Sequence, residues 1–319
     1  METPLRVAVL DDYQQVALSL ADWESLGDGV KVQTFAQPIP ADALPERLRD
    51  FDIIVAMRER TPFPRALIER LPSLKLLVTT GRRNASIDVK AAAERGIPVS
   101  GTSSLSTPPV ELTWALILAT ARRLPQEAAA MRNGGWQSTV GIGLHGMVLG
   151  VVGLGRLGSE VARIGQAFGM KVIAWSQNLT ADAASAVGAR LVDKETLFRD
   201  ADVVTIHLVL SDRTRHLVGE KEIAAMKPTA ILINTARGPI VHEAALISAL
   251  RSGRIQGAGL DVFDEEPLPP DHPLRTLDNV VLTPHLGYVT IGNYREMYTQ
   301  AVEDIRAFLA GTPVRVITP

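Results

Sequence analysis

The 319-residue sequence contains no cysteine. This absence excludes disulfide bonds, thiolate nucleophiles and cysteine metal sites. The first residues, Met1-Glu2-Thr3-Pro4, also lack the basic and apolar regions of a signal peptide, so we expect a cytoplasmic protein. The six histidines are scattered without the spacing of metal ligands, and we therefore expect no metal site.

The sequence also lacks a strong charge of either sign and a long hydrophobic run. Its net charge is −2, which creates no field that would attract nucleic acid or an anionic membrane. The longest apolar stretch, residues 110–121, contains Glu111 and is too short to span a bilayer. We therefore expect neither nucleic acid nor membrane as a partner, and a small molecule as the substrate.

What the sequence does contain is an alternation of short β-branched runs with helical patterns, which is typical of parallel sheets with helical crossovers. The length favours two compact units. An apolar helix, predicted at residues 110–122, lies between them and would be covered by a domain crossing or by a dimer contact. A last helix at 294–309 is expected to return to the first unit. The predicted strands are 6–10, 53–56, 74–79 and 99 in the first unit, and 148–152, 171–174, 203–208, 230–234, 257–262 and 280–282 in the second.

A G-x-G-x-x-G motif, formed by Gly153, Gly155 and Gly158, opens the second unit. The motif alone is weak evidence, because glycine-rich turns are common. Here it follows the apolar run 148–152 and precedes a stretch with apolar residues at helical spacing. In that context glycine permits the sharp turn, the close approach of a pyrophosphate and the packing of helix on sheet. The motif therefore predicts a dinucleotide site at a helix N-terminus.

Three polar side chains follow the last strands of the second unit, where open parallel sheets place their ligands. They are Arg237, Glu266 and His285. Taken alone, each has a simpler explanation. Arg237 could form a surface ion pair, Glu266 could lie in a solvated loop, and His285 could be a packed imidazole. Together they fit one chemistry, because a guanidinium can hold a carboxylate by two hydrogen bonds and an imidazole can exchange a proton near neutral pH. A neighbouring carboxylate would orient the ring and favour its protonated form.

Longer motifs surround these three residues. They are NTARGPIV at 234–241, GLDVFDEEP at 259–267 and LTPHLG at 282–287. With the glycine motif they occur in an order and spacing that resembles the D-isomer-specific 2-hydroxyacid dehydrogenases over essentially the whole chain.

The resemblance implies an α/β fold of two Rossmann-like domains with parallel sheets. In it an NAD(P)-binding domain, residues 109–289, is inserted in a flavodoxin-like substrate domain formed by residues 1–108 and 290–319. It also implies a homodimer formed through the dinucleotide-binding domains, which would cover the helix at 110–122.

By the same resemblance, Arg237 binds the carboxylate and carbonyl of the substrate, Glu266 partners the histidine, and His285 is the general acid and base. Asp261 would lie near the nicotinamide carboxamide, and backbone amides of residues 79–84 would hold the substrate carboxylate. The expected cofactor-binding residues are Gly153, Gly155, Arg156, Leu157, Gly158, Ser176, Asn178, Ala236, Asp261 and His285, and the expected substrate-binding residues are Thr80, Gly81, Arg237 and His285.

Two features depart from the family pattern. Many family members have a Gly-x-Gly or Gly-x-Asp pattern at Gly81, whereas this chain has Arg82 and Arg83 after it. With Arg58 and Arg60 they would recognise a second anionic group on the substrate or form a solvated or ion-paired surface. Tyr288 stands where a small residue is usual, and it would narrow the pocket or cap a helix.

The choice between NAD and NADP depends on the end of the second strand of the dinucleotide unit. An NAD site usually presents a carboxylate there, but this sequence reads Ser176-Gln177-Asn178. Without that carboxylate a 2′-phosphate is not repelled, and both Ser176 and Asn178 could donate hydrogen bonds to it. The arginine that commonly completes an NADP site is missing as well, so the choice stays open, with NADP or dual use favoured.

The leading hypothesis is an oxidoreductase that transfers a hydride between NAD(P)H and C2 of a small 2-keto acid or D-2-hydroxy acid. One alternative is a dinucleotide-sensing protein like the corepressors that share these motifs. It is disfavoured by the absence of disordered tails and of an extended basic face. Another alternative is a formate-type dehydrogenase, for which the sequence has no distinctive residue set.

Overall fold

The structure is a computed structural model that describes residues 4–319. The first three residues, on which the signal-peptide argument depends, lie outside the described part. The chain divides into two compact units: the described residues up to Leu105 together with Val289–Pro319, and Ser106–Tyr288. We call these the first and the second unit. No helix within residues 4–319 combines the length and apolar character needed to cross a membrane.

Strands and helices alternate through both units. The strands are β1 (Leu5–Val9), β2 (Val30–Thr34), β3 (Ile53–Ala56), β4 (Leu76–Thr79), β5 (Val99–Gly101), β6 (Val148–Val152), β7 (Lys171–Trp175), β8 (Arg190–Leu191), β9 (Val203–Ile206), β10 (Ile231–Asn234), β11 (Gly257–Leu260) and β12 (Val280–Leu282). The helices are α1 (Ala17–Leu20), α2 (Leu44–Leu48), α3 (Arg65–Ile68), α4 (Val89–Glu94), α5 (Thr107–Ala121), α6 (Leu124–Arg132), α7 (Arg156–Ala167), α8 (Ala181–Ser185), α9 (Lys194–Asp200), α10 (Glu220–Ala225), α11 (Glu243–Arg251) and α12 (Ile291–Leu309).

The first unit is built on a parallel sheet with the order β2-β1-β3-β4-β5. Strands β3 and β4 are buried along their whole length, as expected for a parallel sheet that is covered on both faces. This strand order is the flavodoxin-like one, in which the direction of chain progression reverses between β1 and β3. The loops after β1, β3 and β4 are therefore the ones placed for binding a ligand.

The C-terminal segment after α12 adds to the edge of this sheet. The Ile317 amide donates to the Val99 carbonyl oxygen at 2.7 Å, and the Gly101 amide donates to the carbonyl oxygen of Arg315 at 3.0 Å. The Arg315 guanidinium also pairs with the buried carboxylate of Asp304 in α12, at 2.9 Å. The segment thus covers the edge of β5 that would otherwise carry unpaired backbone groups.

The second unit has the strand order β12-β11-β10-β9-β6-β7-β8, with all pairs parallel. The chain reverses between β6 and β9, which is the arrangement of a Rossmann sheet. The prediction of two Rossmann-like units with parallel sheets is therefore confirmed. The loop after β6, which carries the glycine motif, lies at the reversal.

Two strands were not predicted from the sequence, β2 and β8. Both are edge strands with exposed positions, so they lack the continuous apolar run by which the inner strands are recognised. The predicted strands 203–208 and 257–262 are also too long, since the structure ends β9 at Ile206 and β11 at Leu260. The last residues of both predicted strands belong instead to the loops that leave the sheet at its carboxyl edge.

The apolar helix between the units is α5, and its own unit covers it. It packs on α7 and on strands β10, β11 and β12. The Trp114 indole stacks on the Phe168 ring, with the ring centroids 4.9 Å apart. Much of this helix is therefore covered within its own unit, whereas the expected dimer contact stays a prediction. Exposed apolar side chains occur instead on the segment that follows α5: Leu124, Met131, Trp136 and Val140.

Candidate active site

The glycine motif forms a tight turn between β6 and α7. Gly153 has φ +99°, and a Cβ atom there would lie 2.8 Å from the carbonyl oxygen of His207. At Gly158 a Cβ atom would collide with the Gly153 carbonyl oxygen. A Cβ atom at Gly155 would meet nothing within 4 Å. The first and third glycines are therefore required by the fold, and the second leaves an open approach to the helix N-terminus.

This open approach fits a dinucleotide. Arg156 and Leu157 form the first turn of α7, and the capping residue Gly155 has no side chain to bond their amides. A helix N-terminus with accessible amides attracts the negative charge of a phosphate group. Ser176 and Asn178 directly follow β7, the strand beside β6, at the same edge of the sheet. The predicted dinucleotide residues of this part of the chain thus lie at neighbouring strand ends.

Arg237 lies in a turn that follows β10. The side chain of the buried Asn234 holds this turn, because its amide donates to the carbonyl oxygen of Arg237 at 3.0 Å and its oxygen accepts from the Ala236 amide at 3.0 Å. The Arg237 guanidinium donates to the Ala236 carbonyl oxygen at 2.7 Å. The sequence reasoning missed Asn234, although an asparagine at a strand end that bonds to its own turn is a recognisable signal.

Glu266 and His285 form the closest polar contact of the site. His285 Nδ1 and Glu266 Oε2 are 2.6 Å apart, and the Phe263 amide donates to Glu266 Oε1 at 3.0 Å. Because an ionised carboxylate only accepts hydrogen bonds, Nδ1 is the donor in this pair. The other ring nitrogen, Nε2, is then the one available to exchange a proton with a substrate.

The charge on Glu266 is set by its neighbours. Burial raises the pKa of Glu266, but the hydrogen bond and charge of His285, the Phe263 amide and the charge of Arg237 lower it by more, so that the pKa lies below its ordinary value. Glu266 is therefore ionised at neutral pH. The structure thus brings together the three side chains that the sequence singled out, at the carboxyl edge of one sheet.

Asp261 holds the turn that carries His285. Its buried carboxylate accepts from the Thr283 hydroxyl at 2.6 Å and from the amides of Leu286 and Gly287 at 2.7 and 2.9 Å. His285 itself has φ +52°, in the left-handed region that non-glycine residues adopt only when the surroundings impose it. Asp261 therefore fixes the backbone of the candidate acid. Its expected position beside a nicotinamide stays a prediction.

Two histidines, His285 and His207, follow strands at the carboxyl edge of the second sheet, and their surroundings differ. The buried Tyr288 ring meets the His285 ring edge to face, with centroids 5.6 Å apart. By contrast, His207 Nε2 is engaged with the Thr205 hydroxyl at 2.9 Å, and burial lowers the pKa of His207 to about 4. His207 is therefore neutral at physiological pH, and of the two histidines it is His285 that is paired with a carboxylate, which makes it the candidate for proton exchange.

Thr80 and Gly81, the predicted substrate residues of the first unit, follow β4. Gly81 has φ +123°, and its amide donates to the Thr102 hydroxyl at 2.9 Å. Thr80 Oγ1 accepts from the Arg58 amide at 2.9 Å, and the Arg58 guanidinium donates to the Thr80 carbonyl oxygen at 3.3 Å. The Gly81 amide is thus already used within its own unit, and the arginine at the end of β3 braces this loop.

The other arginines near this loop differ in their surroundings. The Arg60 guanidinium lies 4.4 Å over the ring of Tyr13. Arg58 pairs with Glu59, at 3.7 Å. Arg82 and Arg83 are exposed on the surface of the first unit.

Comparisons with known proteins show the family and the fold of the chain. The family profile "D-isomer specific 2-hydroxyacid dehydrogenase, NAD binding domain" matches residues 114–287. The chain is 39% identical over 311 residues to a D-3-phosphoglycerate dehydrogenase of Methanocaldococcus jannaschii, covering 96% of this chain and 58% of that protein. It is 40% identical over 293 residues to a glyoxylate reductase of Aeropyrum pernix, covering 88% of this chain and 87% of that protein.

A solved structure gives the same result for the fold. The phosphoglycerate oxidoreductase of Vibrio cholerae O395 superposes with a TM-score of 0.92 at 35% identity, covering 97% of this chain and 100% of that one. The profile match extends over more than half of the chain, and the fold agrees over nearly all of it. The chain therefore belongs to the D-isomer-specific 2-hydroxyacid dehydrogenases, a family of oxidoreductases that use a nicotinamide dinucleotide.

Proposed function

We propose that this chain reduces small 2-keto acids to D-2-hydroxy acids, or runs the reverse reaction, at the site formed by Arg237, Glu266 and His285. The observation that carries the proposal is the 2.6 Å contact between His285 Nδ1 and Glu266 Oε2, next to the charge of Arg237. In this assignment the second unit is the dinucleotide-binding domain and the first unit is the substrate domain.

Each residue then has one task. The Arg237 guanidinium binds the substrate carboxylate by two hydrogen bonds and polarises the adjacent carbonyl group. The bound nicotinamide dinucleotide supplies the hydride that adds to C2. His285 Nε2 gives its proton to the oxygen that becomes the hydroxyl group, while ionised Glu266 holds the ring and stabilises its protonated form.

A panel of 2-keto acids, assayed by nicotinamide absorbance with NADH and NADPH, tests the function. Glyoxylate is the first substrate to try, because the chain is similar to a glyoxylate reductase. The panel includes keto acids with a second carboxylate or phosphate group, which the exposed Arg82 and Arg83 are proposed to favour. Consumption of at least one 2-keto acid is expected. Binding of dinucleotide with no turnover of any acid would contradict the proposal and support a dinucleotide-sensing protein.

The cofactor preference is expected to depend on Ser176. We propose NADP or dual use, because the residues after β7 carry no carboxylate until Asp182 in α8. The variant Ser176→Asp introduces a negative charge that repels a 2′-phosphate and can bond to a 2′-hydroxyl group. The ratio of kcat/KM with NADPH to that with NADH should then fall about 10-fold or more, which corresponds to about 1.4 kcal/mol.

A matched variant controls for damage to the loop. Ser176→Asn changes the side chain at the same position without adding charge, so its ratio should stay near that of the parent. A strong preference of the parent for NADH would overturn the NADP proposal.

Glu266→Gln is expected to make the reaction more sensitive to alkaline pH. The amide keeps a hydrogen-bonding group but removes the charge that favours the protonated imidazole, so the rate of keto-acid reduction should decline at lower pH than in the parent. A hydrogen bond to a charged group contributes about 1.5–3 kcal/mol, so kcat should fall about 10- to 100-fold on the alkaline side and less on the acidic side. Stopped-flow or steady-state rates from pH 5 to 9 measure this; an equal loss at every pH would contradict it.

We further propose a cytoplasmic homodimer that forms through the exposed segment after α5. This segment, residues 124–140, carries the apolar side chains Leu124, Met131, Trp136 and Val140 on the surface, and Trp136 is 74% exposed. Contiguous exposed apolar groups mark interaction sites. Light scattering after gel filtration should give twice the mass of the chain, and Trp136→Glu should shift the species toward monomer.

A further inference from the structure

A short stretch of chain carries Glu266 and is held at both of its ends. We call it the Glu266 loop, residues 263–272, between β11 and a short 3₁₀ helix at Pro273–Thr276. From the adjoining 3₁₀ helix, the Arg275 guanidinium donates to the carbonyl oxygens of Leu268 and Pro269 in the loop at 2.7 and 2.8 Å. These bonds stabilise the second half of the loop, and the position of Glu266 then depends on how the two ends are anchored.

One carboxylate on a different element anchors both ends. Glu243, the first residue of α11, accepts from the Asp264 amide with Oε2 at 3.4 Å. Its other oxygen, Oε1, lies 3.0 Å from His272 Nε2. The side chains of Glu243 and His272 are only 20% and 16% exposed, so water competes little for the contact between them, whereas the contact with the Asp264 amide is exposed. Asp264 and His272 are close to the two ends of the Glu266 loop.

The hydrogen bonds of His272 determine which nitrogen carries its proton. The Leu274 amide donates to His272 Nδ1 at 3.3 Å, so Nδ1 presents a lone pair and Nε2 carries the hydrogen. Nε2 therefore donates to Glu243 even when the imidazole is neutral. The contact therefore does not require a positively charged imidazole.

The same helix is also joined to the turn of Arg237. A 3₁₀ helix at Gly238–Ile240 connects that turn to the start of α11. Gly238 packs against the backbone of Phe263, where a Cβ atom would collide with the Phe263 carbonyl group. Glu243 thus ties the segment that bears Arg237 to the loop that bears Glu266.

Other titratable groups lie near the contact between Glu243 and Asp264. The rings of His216 and His242 lie edge to face with centroids 4.8 Å apart. Burial and the charge of Glu243 raise the pKa of Asp264, and His216, Arg215 and His242 oppose that shift. The described residues contain no group of His, Asp and Glu side chains arranged to hold a metal ion. The side chains around Glu243 are therefore linked by ring contacts, hydrogen bonds and ionic interactions next to the Glu266 loop.

We propose that Glu243 is a positioning residue for the reaction: through Asp264 and His272 it holds Glu266 at the distance and angle required by His285. The inference rests on the proposed function, since it assigns Glu243 a task in that chemistry. A misplacement of about 1 Å far from the reacting atoms can cost about 100-fold in rate. Glu243 touches neither substrate nor dinucleotide in this assignment, so binding of the dinucleotide should not depend on it.

The test compares Glu243→Ala and His272→Asn with the parent. Asparagine is a good N-cap, so His272→Asn keeps the cap of the 3₁₀ helix and removes only the reach to Glu243. Both variants should lower kcat about 10- to 100-fold with the dinucleotide Kd unchanged, and both should shift the alkaline limb of the pH profile as Glu266→Gln does. Hydrogen exchange measured by mass spectrometry should be faster in residues 263–272. Glu243→Gln, which keeps one acceptor oxygen, should recover part of the kcat.

The matched control is Glu222→Ala. Glu222 is also a carboxylate near the start of a helix, α10, and it accepts from the Gly219 amide at 3.0 Å and pairs with Lys194 at 2.7 Å. This variant should lose stability but keep the kcat, the pH profile and the slow exchange of residues 263–272.

The outcomes separate the two proposals. If the parent reduces a 2-keto acid and both Glu243→Ala and His272→Asn keep its kcat and pH profile, the positioning role is overturned. If the parent reduces none, the proposed function fails. Unchanged exchange in the Glu266 loop of Glu243→Ala would overturn the anchoring whatever the activity.

Discussion

His285→Ala is expected to lower kcat for keto-acid reduction by about 10²–10⁴-fold, which is the usual contribution of a positioned acid or base. The variant removes the imidazole that is paired with an ionised carboxylate at 2.6 Å, and imidazole is the side chain that most often serves as a general acid or base. Steady-state kinetics with the best substrate of the panel measure the loss. The Kd of the dinucleotide, from fluorescence titration, should change far less than kcat, because the glycine turn that would bind the pyrophosphate does not involve His285.

His145→Ala is the control for this variant. His145 is exposed and precedes β6, so it lies near the amino edge of the sheet, opposite the edge that carries the site. It should keep the kcat of the parent. Parent-like turnover in His285→Ala would remove this residue from the mechanism and leave the contact with Glu266 as a structural one.

Arg237→Lys is the second substitution with a large expected effect. Lysine keeps the positive charge but cannot reproduce the planar fork that binds a carboxylate through two parallel hydrogen bonds. The loss of one hydrogen bond between charged groups costs about 1.5–3 kcal/mol, so kcat/KM should fall about 10- to 100-fold. Because the charge near Glu266 is retained, the pH profile should keep its shape while the rate falls.

The comparison with Arg237→Gln separates charge from geometry. Glutamine removes both, so its kcat/KM should be lower still, and its pH profile should change because the charge of Arg237 helps to lower the pKa of Glu266. Arg199→Lys in α9, an exposed arginine paired with Asp200 at 2.9 Å, should leave the kinetics unchanged. Equal activity of Arg237→Lys and the parent would contradict a bidentate grip on the substrate.

The inner strands of both units were predictable from the sequence because burial on two faces requires a continuous apolar run. Residues 53–56 and 148–152 are inner strands with the bounds that the pattern predicts. The edge strands β2 and β8 were not predictable in this way. Each has a neighbour on one side only, and half-exposed strands admit polar residues that hide the pattern.

The prediction that Arg237, Glu266 and His285 lie close together came from a rule of topology. Carboxyl ends of neighbouring parallel strands meet at one edge, so residues just after β10, β11 and β12 have to meet there. The residues that hold this group were harder to find. Asn234 and Asp261 belong to the quoted motifs, but their bonds to backbone amides in the adjoining turns depend on loop geometry that no spacing rule contains.

The sequence by itself determined the class of fold, the position of the glycine turn and the meeting of Arg237, Glu266 and His285 at one edge of a sheet, because these depend on periodicity, glycine spacing and strand order, which are local or topological. Only the tertiary structure decided that α5 is covered by its own unit, that the Gly81 amide bonds to Thr102, and that Glu243 anchors the loop of Glu266. Each of these contacts joins residues far enough apart in the chain that their distance is set by packing rather than by the residues between them.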